Sequence, residues 1–186
     1  MLGDHQWMRK RVPWEPAARV PLLVTSPASW GVGGGEVREE LAGLQDVMPT
    51  ILEAANVALP DGVDGKSLLP LLRGEAGGWR DVLHGECNDI GGGLGKPTGM
   101  QYLVTSPGGR FDRRWKYAWF PGLGREFLFD LDADPEERHD LANEPQPATA
   151  RAALRGELCV RLANRPEGFV VRGDLAPLDG IATASL

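Results

Sequence analysis

Residues 3–10, GDHQWMRK, place an acid, an imidazole, an indole and two cations in eight positions. Compact polar clusters of this kind sit beside sites. His5 has the chemistry to line a pocket or to pass a proton to a leaving oxygen as a general acid. The competing role is a turn- or helix-capping imidazole. Asp4 could orient His5 or simply hold a turn. Lys10, taken by itself, reads as a solvated surface cation. Three later stretches invite chemistry more weakly. His84 in LHGE could face a cleft or close the end of a strand. ADPEERHD (133–140) gathers acids around His139 and superficially resembles a metal site, but reads better as a solvated turn. GGGLGKP (91–97) lacks the GxxxxGK[ST] frame of a phosphate-cradling loop and reads as a plain loop.

These residues need elements to hold them. RVPLLVTS (19–26) contains a continuous apolar run, the pattern of a strand buried on both faces of a parallel sheet. QDVMPTILEAANVALPDG (45–62) predicts a helix, with Asp46 as N-cap, Pro49 in the first turn, and Val47, Ile51 and Ala55 as an apolar stripe. GKSLLPLLRG (65–74) predicts a short helical turn. After GEAGGWRD (74–81) the pattern changes to strands. DVLHGE is one, and MQYLVTSPGGRFDRRWKYAWF (100–120) holds two, joined by a turn at Pro107-Gly108-Gly109. REFLFDLDADPEE adds a fourth, with Phe127, Phe129 and Leu131 on one face. Trp115, Tyr117 and Trp119 alternate along their strand and read as core, with a sugar-stacking face as the rival. A C-terminal helix carries Leu154, Leu158 and Leu162 at i+4 spacing, and an extended tail follows it.

The fold class is therefore α/β: the end of an α/β layer over residues 1–77, then a small antiparallel sheet with one packed helix over 78–186. One interior strand and one helix are too few to cover a parallel sheet, so the first third looks incomplete. Forty of the 186 residues are Gly or Pro, about 21% against roughly 12% in average usage, which predicts many turns and little helix. A net charge of −6, without a basic stripe, argues against nucleic acid. No apolar run is long enough for a membrane span, and the first residues carry no apolar secretory core. Cys87 and Cys159 have no metal spacing and read as reduced thiols, which favours a cytoplasmic compartment unless a signal peptide lies upstream.

Three blocks resemble a known family. MLGDHQWMRKRVPWEPAARVPLLV, DVMPTILEAANVALPDGVDGKSLLPLLRG and RWKYAWFPGLGREFLFDLDADPEERHDLANEP are similar, in order, to segments of the sulfatases of the alkaline-phosphatase-like superfamily. The resemblance covers about residues 1–145 and implies the C-terminal portion of an α/β hydrolase of sulfate monoesters. It implies that Lys10 contacts the sulfate, where a compact fixed cation stabilises charge building on the leaving oxygen. Glu15 and Arg19 match family positions and read as an ion pair bracing the loop that carries Lys10. Formylglycine and Ca2+ are implied for the full-length family. Neither has a place in this chain: no C/S-x-P-x-R motif occurs, Cys87 and Cys159 fit none, and the paired metal aspartates have no counterpart. Met1 is accordingly expected to lie inside a longer protein, and the chain alone to be inactive. The expected partner is a sulfated small molecule or sugar, given an N-terminal portion. Two alternatives stand: a phosphoester or phosphonate ester hydrolase of the same superfamily, and a stand-alone binding domain or decayed fragment.

Overall fold

The structure, a computed structural model, describes residues 1–6, 12–32, 34–87 and 99–177. Two compact units are present: residues 1–20 with 84–186, and residues 21–83.

The larger unit is built on a sheet in the order β1-β2-β3-β4, from Val82–Cys87, Met100–Thr105, Trp115–Phe120 and Arg125–Asp130. β2 pairs antiparallel with β3, setting Leu103 opposite Tyr117, and β3 pairs antiparallel with β4, setting Tyr117 opposite Leu128. Strand alternation then gives the sheet two apolar faces. Leu103, Tyr117, Trp119 and Leu128 lie on one, with helix α4 (Ala148–Leu162) packed against β2 and β3. Leu154, Leu158 and Leu162 of α4 are fully buried, as their spacing predicts. Phe169 closes edge-on against Trp119, with centroids 5.7 Å apart. Ala118, Phe120, Phe127, Phe129 and Leu131 form the opposite face, where Val12 and Trp14 pack. The Trp14 ring meets Phe129 and Phe127 edge-on, at 5.1 and 5.3 Å.

Trp115, Tyr117 and Trp119 are all buried, so the sheet offers no stacking face made of these rings. The outer edge of β4 is covered: Leu141 donates to the Leu128 carbonyl and Asp140 accepts from the Leu128 amide. Gly85 on β1 is required by a close approach, since a Cβ there would lie 2.2 Å from Cζ of Tyr102. The tail forms a small hairpin, β5 (Val170–Val171) with β6 (Asp174–Leu175). Arg172 and Gly173 turn it, both at positive φ, as a two-residue hairpin loop demands. The short helix α1 (Glu15–Ala18) also belongs to this unit.

The smaller unit carries α2 (Val47–Ala54) and α3 (Leu69–Leu72). α2 stops short of its predicted end because Asn56 takes a left-handed conformation (φ 54°). Asp46 occupies the N-cap position but makes no cap. Instead its buried carboxylate organises the unit. Oδ2 accepts from Gly43 N (2.8 Å) and Arg80 Nη1 (2.6 Å), and Oδ1 from Lys66 N (2.8 Å) and Arg80 Nη2 (2.6 Å). Burial pushes this carboxyl's pKa upward, but the Arg80 guanidinium and the two amides outweigh it and hold the group below its usual range.

Two expectations fail in this unit. Residues 19–26 form no strand, and Leu23 is 86% exposed. An interior parallel strand needs neighbours on both sides, and among the described residues none pairs with this run. The α2 stripe is covered only at its start, with Val47 half-buried, Ile51 61% exposed and Ala55 exposed. The inward contact of α2 is made by Pro49.

Candidate functional site

Lys10, the proposed sulfate contact, and Trp7 lie outside the described residues, as does the 91–97 loop. The flanking residues are placed. His5 sits in a 3-10 turn, Asp4–Gln6, at positive φ (51°), with its ring 6.0 Å from that of Trp14. Asp4 is exposed, and its Oδ2 accepts the Leu2 amide at 3.1 Å, a turn contact that lowers its pKa.

Arg19 and Glu15 do approach, but at 4.0 Å with Arg19 69% exposed, a pair worth little. The stronger partner of Glu15 is a residue the sequence reading did not single out. Lys116 of β3 is fully buried. Its Nζ stands 2.6 Å from Glu15 Oε1 and 2.8 Å from Glu137 Oε1, and donates to the Pro13 carbonyl at 2.8 Å. Two ammonium protons are accepted, by the Pro13 carbonyl and by Glu15, while Glu137 Oε1 faces the cation as a counter-charge without a hydrogen bond, and the Tyr102 ring lies 5.9 Å away. The other oxygen of Glu137 accepts the Glu15 backbone N–H at 2.5 Å. Burial pushes the Glu137 carboxyl upward, further than Lys116 and the Glu15 amide pull it down.

Glu137 belongs to the ADPEERHD turn, which is therefore not wholly solvated: one of its acids points inward. Lys116 carried a signal of its own. It occupies the face that Ala118 and Phe120 share, an inward position where a lone cation needs partners. His139 stays exposed, its Nδ1 3.5 Å from Asp134 Oδ2. His84 is half-buried on β1 and shares a 2.8 Å hydrogen bond with Gln101 Oε1. Gln101 donates on to Glu86, which pairs with Arg165. Burial holds His84 below its ordinary pKa, so it is neutral near pH 7. These contacts make it part of a strand network. Among the described residues no three His, Cys, Asp or Glu side chains gather in a way that could hold a metal ion.

The arrangement is an N-terminal segment tied to one face of a C-terminal sheet. The family model for the C-terminal part of N-sulphoglucosamine sulphohydrolase matches residues 3–92. An arylsulfatase of Clostridium perfringens is 36% identical over 170 residues, 91% of this chain and 33% of that protein.

The chain belongs to the sulfatase family.

It corresponds to the C-terminal portion of these alkaline-phosphatase-like proteins and spans about one third of the length of the curated relatives it matches. The fold agrees. The protein BT4656, solved with its substrate D-glucosamine-2-N,6-O-disulfate, superposes with a TM-score of 0.75 at 23% identity, covering 89% of this chain and 33% of that one. The phosphonate monoester hydrolase of Agrobacterium radiobacter superposes at 0.54 with 27% identity, covering 68% and 26%.

Proposed function

We infer that this chain is the C-terminal part of a sulfuric ester hydrolase acting on sulfate monoesters, with Lys10 contacting the sulfate. The carrying observation is the likeness to an arylsulfatase over 91% of the chain, together with the match of residues 3–92, Lys10 among them, to the family model. Lys10 supplies a fixed positive charge to oxygens that gain negative charge as the S–O bond breaks. His5 lines the pocket or protonates the leaving oxygen. Asp4 holds the turn that carries His5. Glu15 and Arg19 brace the segment from its far side, Glu15 through Lys116. Residues 1–77 belong to the catalytic α/β domain in this reading, and 78–186 to the small C-terminal subdomain, with His84 facing the cleft side. The substrate is a sulfated small molecule or sugar, a class to which the D-glucosamine disulfate of BT4656 belongs.

Formylglycine and Ca2+ would supply the nucleophile and the polarisation of the sulfate. The formylglycine would come from sequence outside these 186 residues, because the chain has no C/S-x-P-x-R motif. The 186 residues alone are expected to show no turnover of an aryl sulfate. The test is to translate the DNA upstream of Met1 in all frames and to assay the extended protein. A C/S-x-P-x-R motif in frame, with kcat/KM falling about 10²- to 10³-fold in Lys10→Ala, supports the reading. Absence of the motif from every frame, or full activity in Lys10→Ala, overturns it. A phosphonate monoester hydrolase is the second reading, favoured by the 27% identity to the Agrobacterium enzyme. Preference for a phosphonate ester over an aryl sulfate in the same assay would select it.

A further inference from the structure

The ion cluster at Lys116 joins three distant parts of one unit: the N-terminal segment, the middle of β3 and the turn after β4. Each bond serves a group of the N-terminal segment that would otherwise be orphaned. Pro13 is buried, and its carbonyl takes a proton of Lys116. The amide of Glu15, in the first turn of α1, has no acceptor within the helix and uses Glu137. The Glu15 side chain takes the second ammonium proton. Glu137 reaches this place from a left-handed backbone (φ 55°), a strained conformation for any residue other than glycine. Glycine would relieve that strain and lose the carboxylate. The turn thus keeps an unfavourable conformation and presents a buried charge, which points to a requirement at the far end of the bond.

We propose that Lys116 is a positioning residue: with Glu137 it clamps Val12–Glu15, which starts two residues beyond Lys10, onto the C-terminal sheet and so fixes the end of the segment proposed to contact the sulfate. This rests on the reading of Lys10 given above. Trp14 anchors the same segment by packing edge-on against Phe127 and Phe129. The clamp adds three directed, charge-assisted bonds that set depth and register. The C-terminal subdomain therefore has a task besides completing the fold, because its β3 and the turn after β4 hold one end of the site segment.

Amide hydrogen exchange on the 186-residue chain, without any substrate, tests the clamp. The reporters are Glu15, whose amide meets Glu137, and Ala17, Ala18 and Arg19, whose amides bond within the α1 turn. The controls are Tyr117, Ala118 and Leu128 of the sheet. Lys116→Met is expected to speed exchange at the four reporters at least tenfold and at the controls less than threefold. Lys116→Arg, which restores the cation, should return the reporters to within threefold of wild type. Unchanged reporters, equal acceleration of reporters and controls, or no recovery with Arg would each overturn the proposal. Should Lys116→Met not fold, Glu137→Gln, which keeps the shape and one acceptor, is judged by the same comparison. Loss of the Lys10 reading would show in the Lys10→Ala assay and leave this exchange result standing, so the two can fail separately.

Discussion

Replacing Asp46 by Asn removes a charge without changing shape, and its effect follows from the four bonds the carboxylate accepts. Each oxygen takes one backbone amide and one arm of Arg80. Asn offers one carbonyl oxygen for two of these donors and sets an NH2 against the other two. Arg80, only 11% exposed, is left without a counter-charge. Breaking a buried pair from one side costs about 3–5 kcal/mol. The unit concerned is residues 21–83. At roughly 0.05–0.15 kcal/mol per residue its whole stability is about 3–9 kcal/mol. Asp46→Asn is therefore expected to remove a large part of it. Urea unfolding followed by exchange of the α2 amides measures this by itself, with a midpoint shift of about 1–3 M at a slope near 2 kcal/mol/M. The pH dependence supplies a second check. The folded carboxyl titrates below its ordinary value of 3.8, so the folded state binds fewer protons than the unfolded one. Asp46 then contributes fully above about pH 4, and the contribution is lost as pH falls through the lower folded value. The gap between wild type and variant should narrow over that window. A gap under about 1 kcal/mol at pH 7, or one that stays constant below pH 4, would refute the reasoning.

Other outcomes follow from single contacts. A Cβ at Gly156 in α4 meets no atom within 4 Å, so Gly156→Ala should stabilise the helix by about 0.5–1 kcal/mol, read as a higher urea midpoint. Gly85→Ala drives a methyl into the Tyr102 ring and should cost about 1–3 kcal/mol by the same measurement. His84 has a folded pKa below 6.5. Its neutral form thus favours folding, in full above pH 6.5, and that contribution is lost as pH falls through the lower folded value; histidine NMR titration gives the shift, and His84→Gln should flatten the profile.

Much of the larger unit is legible in the amino-acid order because its signals are periodic and local. Phe127, Phe129 and Leu131 alternate onto one face, and Leu154, Leu158 and Leu162 recur every fourth residue on α4. Those intervals are properties of strand and helix geometry and need no knowledge of the partner. The polar anchors are not legible in this way. Asp46 reads locally as a helix cap, yet its carboxylate serves Lys66 and Arg80, 20 and 34 positions on. Lys116 and Glu15 lie 101 positions apart. Nothing in either neighbourhood specifies such a meeting, which exists only once the sheet and the N-terminal segment are packed.

The run Leu22–Val24 shows the opposite error and what such a run encodes. Three consecutive apolar side chains state that both sides of the chain prefer to leave water, at about 25 cal/mol per Å². They do not state what will cover them. A strand also needs neighbours for its amides and carbonyls, and residues 19–26 have none among those described. The apolar preference and the missing ladder are separable by experiment. Leu23→Gln, at a position 86% exposed, should change the stability of the 186-residue chain by no more than about 0.5 kcal/mol while raising its solubility, since it removes exposed apolar surface. In a longer protein that supplies adjacent strands, the same substitution should cost about 1.5–3 kcal/mol, the value of burying one leucine. Equal effects in both settings would mean that the run is a surface feature and that its strand-like pattern carries no packing information.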